Sequence, residues 1–189
     1  LLFFADRRVD YPILEVGLGG RRDATNVSEP IVSVITRVGY DHTNLLGKKL
    51  SGIAFEKAGI IRERGVVVTV HQRPIAEKVI RAEARRRQSR LIFAEDNIAL
   101  RAGKPTLRGT RFRVKGRFGG FTVFLPMAGV HQRENLALAL AVLEELKNMD
   151  HPIPWSAIRR GVGQTRLAGR FETLSRKPLV VYEASHNYD

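Results

Sequence analysis

Pro12-Ile13-Leu14-Glu15-Val16-Gly17-Leu18-Gly19-Gly20-Arg21-Arg22-Asp23-Ala24-Thr25-Asn26 decides how this chain is read. Ile13 to Val16 has the apolar, β-branched character of a buried parallel strand, and it runs into a glycine-rich loop. The glycines invite a dinucleotide-binding reading, but the third glycine of that fingerprint falls on Arg22. No helical pattern follows directly, so a phosphate would lack a helix N-terminus. The loop is read instead as backbone passing close to a ligand, with Arg22 and Asp23 as polar contacts, or as a plain tight turn. Outward from it, Ile31–Ile35, Val66–Val70 and Leu91–Phe93 are further short strands. Helical spacing of Leu50, Ile53, Ala54 and Ile60, and a helix opened by Pro74 and running to about Arg87, separate them. Strands alternating with helices predict an α/β sheet.

The second half reads differently. Phe112 and Val114 alternate with arginines, Gly119-Gly120 supplies a turn, and Phe121, Val123 and Leu125 return, predicting an antiparallel hairpin over 107–125. A helix from about His131 to Asn148 carries Leu136, Leu140 and Leu143 on one face and is apolar enough to be buried. A shorter helix is expected from Pro154 to Gly161. A strand is expected at Leu179–Tyr182, after a polar break at Ser175-Arg176-Lys177-Pro178.

The 189 residues carry a net charge of +13, with 43% hydrophobic residues and no cysteine. That balance is globular, and it excludes disulfides and thiolate metal sites. No apolar stretch approaches the roughly 18 residues needed to span a bilayer, and Leu1-Leu2-Phe3-Phe4 is too short for a signal core. A cytosolic protein is expected. Residues 62–117 hold sixteen Lys/Arg against five Asp/Glu, densest at Arg81–Arg90. This is either a nucleic-acid footprint or a solvated arginine-rich face, and the lack of interleaved aromatic residues favours the second.

Three residue types point to metal–phosphate chemistry. Glu15 and His42, each placed after an apolar run, form an oxygen/nitrogen pair suited to Mg²⁺ or Mn²⁺ when phosphate and water complete the shell. Lys57 lies in Ala54-Phe55-Glu56-Lys57-Ala58-Gly59-Ile60, an apolar setting that disfavours a charge. A neutral lysine amine can capture CO₂ as a carbamate, a metal-binding anion. Taken alone, each of these residues also has a structural reading: a sheet-edge carboxylate, a core histidine, a lysine snorkelling to water.

In this order and spacing, Glu15–Asn26, Gly39-Tyr40-Asp41-His42-Thr43 and Glu56-Lys57-Ala58-Gly59-Ile60-Ile61 resemble the central domain of folylpolyglutamate synthase/dihydrofolate synthase, in the Mur ligase superfamily. Gly129-Val130-His131-Gln132-Arg133-Glu134-Asn135, Leu167-Ala168-Gly169-Arg170 and Glu183-Ala184-Ser185-His186-Asn187 extend the resemblance to the end of the chain. It implies a P-loop-NTPase-like Mur ligase central domain, a mostly parallel sheet flanked by helices with a small antiparallel hairpin, truncated at both ends. Residues 1–173 would be the central ATP-binding domain without its phosphate-loop segment, and 174–189 the first strand of a C-terminal Rossmann-like domain. The family's Mg²⁺ ligands fall on Glu15 and His42. Its carbamylated lysine, supporting a second metal, falls on Lys57, and His42 and Lys57 become the catalytic pair. Arg22, Asp23 and Ala24 match the pterin-facing segment, and Asn135, Arg170, Glu183 and His186 match the ATP contacts. Glu183 stands where the family usually has aspartate, Tyr188 where it has proline.

The activity so implied is ATP-dependent joining of L-glutamate to dihydropteroate or a reduced folate through an acyl phosphate. The expected protein is a monomer acting on small molecules, with no membrane or nucleic-acid partner, and residues 1–189 alone are expected to be inactive. A peptidoglycan Mur-type ligase, a non-catalytic relative and a basic nucleic-acid-binding module are the alternatives.

Overall fold

The computed structural model describes residues 1–117 and 119–184. After a short helix α1 (Leu2–Asp6) and a 3-10 turn at Ala24–Val27, the organising element is a parallel sheet ordered β1 (Ser33–Ile35), β2 (Val66–Thr69), β3 (Arg90–Phe93). Val67 pairs with Ser33 on one side and Leu91 on the other. α2 (Thr43–Leu46) and α3 (Leu50–Ala58) carry the chain from β1 to β2, and α4 (Pro74–Arg86) from β2 to β3.

β2 shows why its sequence is apolar throughout. Val67 belongs to a cluster with Ile35, Ile53, Ile61 and Ile80, whereas Val68 and Val70 belong to another with Ile92, Leu136 and Leu140. Successive strand residues point to opposite faces, so a strand covered on both sides needs an apolar residue at every position. α4 supplies the first layer through Ala76, Ile80, Glu83 and Ala84, the spacing of one helical face. Pro74 starts it where its missing N–H is not needed, and Glu77 Oε2 accepts from the Gln72 N–H at 3.1 Å.

The opposite layer follows α5 (Ala94–Asn97). An antiparallel sheet, β4 (Ala99–Ala102), β5 (Thr110–Gly116) and β6 (Gly119–Leu125), packs with α6 (Gln132–Asn148) and α7 (Trp155–Gln164). β5 alternates strictly: Thr110, Phe112 and Val114 are buried, and Arg111, Arg113 and Lys115 are exposed. The buried set meets Leu136, Leu140 and Ile158 in one cluster. A final hairpin pairs β7 (Glu172–Arg176) with β8 (Leu179–Tyr182).

Three expectations need correction. Ile13–Val16 forms no strand, and Ile13 is 90% exposed. A β-branched run becomes a strand only when a neighbour takes its backbone hydrogen bonds, and among the described residues β1 is bonded only to β2. Gly119 and Gly120 do not make the turn. They pair with Gly116 and Lys115 inside the ladder, and β4 makes the hairpin a three-stranded sheet. Ser175 and Arg176 are not a break but the end of β7, so β7 runs across the expected boundary between 173 and 174.

Candidate active site

The glycine-rich loop is built against the end of α3. Gly19 and Gly20 have φ of +68° and +151°, which glycine alone adopts readily. A Cβ on Gly20 would lie 3.0 Å from the Glu56 carbonyl oxygen and 3.2 Å from that of Lys57. The close approach is therefore to a helix end. Arg21 N–H donates to the Glu56 carbonyl at 2.9 Å, and its guanidinium donates to the Phe55 carbonyl at 3.2 Å while lying 3.9 Å over the Phe55 ring. Gly59 reciprocates: a Cβ there would meet Arg21 Cα at 2.5 Å. Asn26 Nδ2 donates to the Arg21 and Gly59 carbonyls, and Arg62 donates to those of Asn26 and Ser28.

Asp23 organises the loop from within. Its Oδ1 accepts from the Thr25 hydroxyl (2.6 Å) and N–H (2.9 Å), and its Oδ2 from the Gly17 and Leu18 N–H groups, both at 3.1 Å. The Thr25 hydroxyl foremost, then these backbone donors, lower its pKa to about 2. Those four bonds occupy the acceptor sites of a carboxylate, whereas Arg22 and Ala24 on either side are exposed. Of the three residues matched to the pterin segment, these two present side chains to solvent.

The segments bearing Glu15, His42 and Lys57 converge here. Glu15 precedes the loop and is exposed; Lys57 is half-buried in the last turn of α3. His42 is the N-cap residue of α2, in the left-handed region with φ of 49°, its Nε2 3.6 Å from Asp41 Oδ2. α2 closes on the loop through Leu46, whose Cδ2 would stand 3.2 Å from a Cβ on Gly19. Among the described residues no three His, Asp or Glu side chains cluster as a protein-only metal cage. Glu15 offers the hard carboxylate oxygen that Mg²⁺ takes beside phosphate oxygens and waters, and the His42 imidazole is a softer donor.

Asn135 stands on the first turns of α6, its Nδ2 3.2 Å from the Oε1 of buried Gln132, whose Nε2 is 2.9 Å from His131 Nε2. Arg37, just beyond β1, donates twice to Glu134 at 2.6 and 2.9 Å. The α6 turn carrying Asn135 is thereby tied to the strand leading into His42. Farther along, Arg170 Nη1 lies 3.8 Å from Glu183 Oε1, and Glu183 Oε2 accepts from the Phe171 N–H at 2.8 Å. His186 lies outside the described residues.

Sequence reasoning missed the residues that hold these pieces: Arg21, Asn26, Arg62, Arg37 and Glu83. Glu83 is 7% exposed and accepts from Arg86 at 2.6 Å and from Arg21 and Arg87 at 3.4 Å. Arg86 foremost, against the cost of burial, pulls its pKa down to about 2. Its spacing from Arg86 and Arg87, three and four residues, was the available signal. Gln72 was equally silent, yet its amide ties the ends of β1 and β2 by accepting from Val38 N–H (2.8 Å) and donating to the Thr36 carbonyl (3.0 Å).

Residues 1–143 match the family model described as the Mur ligase middle domain. The chain belongs to that family. One Mur ligase relative, the dihydrofolate synthase/folylpolyglutamate synthase of Bacillus subtilis, is 38% identical over 98% of this chain and 44% of its own length. A solved FPGS–AMPPCP–folate complex superposes with a TM-score of 0.92 at 34% identity, over 98% of this chain and 46% of that one. The folylpolyglutamate synthase of Thermotoga maritima gives 0.83 at 36% identity, over 98% and 42%. The expected Mur ligase α/β architecture is thus borne out, and the chain spans less than half the length of the relatives it matches. Among the described residues no helix is long and apolar enough to cross a membrane.

Proposed function

We propose that this chain is the central part of a cytosolic, ATP-dependent ligase that joins L-glutamate to the carboxylate of dihydropteroate or a reduced folate. Its superposition on the FPGS–AMPPCP–folate complex across 98% of the chain is the observation that carries the reading. The substrate carboxylate attacks the γ-phosphorus of ATP, releasing ADP and forming an acyl phosphate. The glutamate amine then attacks the acyl carbon, and inorganic phosphate leaves. The chemistry calls for no protein nucleophile; it calls for anions held in line and their charge offset.

Glu15 and His42 would hold Mg²⁺, which supplies charge neutralisation at the phosphates. Lys57, whose amine has no hydrogen-bond partner among the described residues, would carry a carbamate toward a second ion. Arg22 and Ala24 would face the pterin, with Asp23 fixing the loop that presents them. Asn135, Arg170, Glu183 and His186 would contact the nucleotide. Residues 174–189 would open the domain that follows, and the intact enzyme would act as a monomer. Phosphate release by the full-length protein, measured with glutamate and either dihydropteroate or a reduced folate, tests this. Release that requires glutamate and one of these acceptors is expected; glutamate-independent release, or none, would reject the assignment.

A further inference from the structure

We propose that the exposed face of β4–β5 binds the acidic tail of an oligoglutamylated substrate, a role that rests on the ligase reading above. Arg101, Arg111, Arg113 and Lys115 all point to this face, and among the described residues no hydrogen bond or ion pair engages any of their side chains. Arg101 and Arg113 stand directly opposite each other across the ladder. Like charges in that position destabilise a sheet pair, so an anion here would relieve a cost built into the fold.

A cavity of about 610 Å³ opens beside this face, bounded by Arg101, Arg113 and Lys115 from the sheet and Arg133 from α6. Of its two acids, Glu134 is ion-paired with Arg37, while Glu95 accepts from the neutral backbone N–H of His71 at 3.1 Å and keeps its charge. Four cations therefore border it against a single acid, Glu95, that no cation pairs among the described residues, and Leu100 and Ala137 line it from the core side. The volume is that of a small-molecule site. Same-face side chains repeat every ~6.7 Å along a strand, which gives a linear polycarboxylate successive cations to meet. Nucleic acid is disfavoured because the cavity holds no aromatic side chain for base stacking. Arg133 and Glu134 place the cavity on the same α6 turns as Asn135, beside the proposed nucleotide site.

The experiment compares full-length protein with its Arg101→Gln/Arg113→Gln and Arg101→Lys/Arg113→Lys variants. A fluorescent pentaglutamate without pterin reports binding; KM is measured for folate pentaglutamate and monoglutamate, and thermal unfolding checks the fold. The Gln pair should weaken pentaglutamate binding about tenfold, as two partly exposed charges allow. It should raise KM for the long tail alone, leave kcat and the monoglutamate KM unchanged, and not lower the melting temperature. The Lys pair should keep binding. Equal affinity in all three proteins, KM rising for both substrates, or tighter binding of a single-stranded oligonucleotide of the same charge would each overturn the assignment. Charge-dependent pentaglutamate binding without turnover on any folate would support the surface and reject the ligase reading.

Discussion

Between Arg81 and Arg90 four of the five arginines are paired internally. Arg81 pairs with Glu77 at 2.7 Å and lies 4.3 Å over the Phe93 ring, Arg86 and Arg87 converge on Glu83, and Arg90 pairs with Glu145. Between Arg101 and Lys115, by contrast, a similar density of cations meets no acid among the described residues. Secondary structure makes the difference. A helix brings residues three and four apart onto one face, so Glu77 and Glu83 lie within a turn of their arginines. A strand sends alternate residues to one face, and in β5 those alternate residues are all basic. Net charge alone does not distinguish the two regions; the pairing of the charges does.

The contrast can be broken most sharply at Gly59. Gly59→Ala would drive a methyl into Arg21, whose guanidinium joins α3 to Glu83, and should cost about 3 kcal/mol in urea unfolding of the full-length protein. A loss below about 0.5 kcal/mol would mean that this junction is not tightly packed. Glu83→Gln leaves Arg21, Arg86 and Arg87 without their buried anion and should cost about 2 kcal/mol.

Acid sharpens the same point. Glu83 and Asp23 are held at about 2 against ordinary values of 4.5 and 3.8. Depressed carboxylates stabilise fully above their unfolded values, and that stability is lost as pH falls toward 2. The Glu83→Gln variant should therefore show a flatter stability profile between pH 5 and 2 than the parent; identical profiles would remove Glu83 from the account. His71 titrates in the opposite sense. Asp96 at 3.0 Å, then Glu77, raise its pKa, so its contribution is present below about 6.5 and fades as pH rises past the raised value. The smallest effect belongs to the sheet. Arg101→Gln/Arg113→Gln should change stability by no more than about 0.5 kcal/mol, or raise it, because no partner is lost.

The fold was legible wherever the pattern was local. The unbroken apolar run of β2, Pro74 at the head of α4 and the alternation of β5 each announce their element. Ile13–Val16 misleads because a strand is a property of two segments, and its composition says nothing about whether a neighbour is present. At the candidate site the motifs locate the converging loops, but not what binds them together. Arg21–Glu83 and Arg90–Glu145 join residues 62 and 55 positions apart, separations that no periodicity encodes. In sequence the glycines suggest room for a ligand; in the structure Gly20 and Gly59 make room for α3 and Arg21.

The most direct measurement of the proposed chemistry follows oxygen. The full-length protein would be given ATP, glutamate and a dihydropteroate or reduced folate whose reacting carboxylate carries ¹⁸O at both positions, and the released phosphate analysed by mass. Attack of that carboxylate on the γ-phosphorus, followed by expulsion of phosphate, predicts one ¹⁸O per phosphate. Phosphate free of ¹⁸O would show that ATP is cleaved without an acyl phosphate, and would contradict the ligase account.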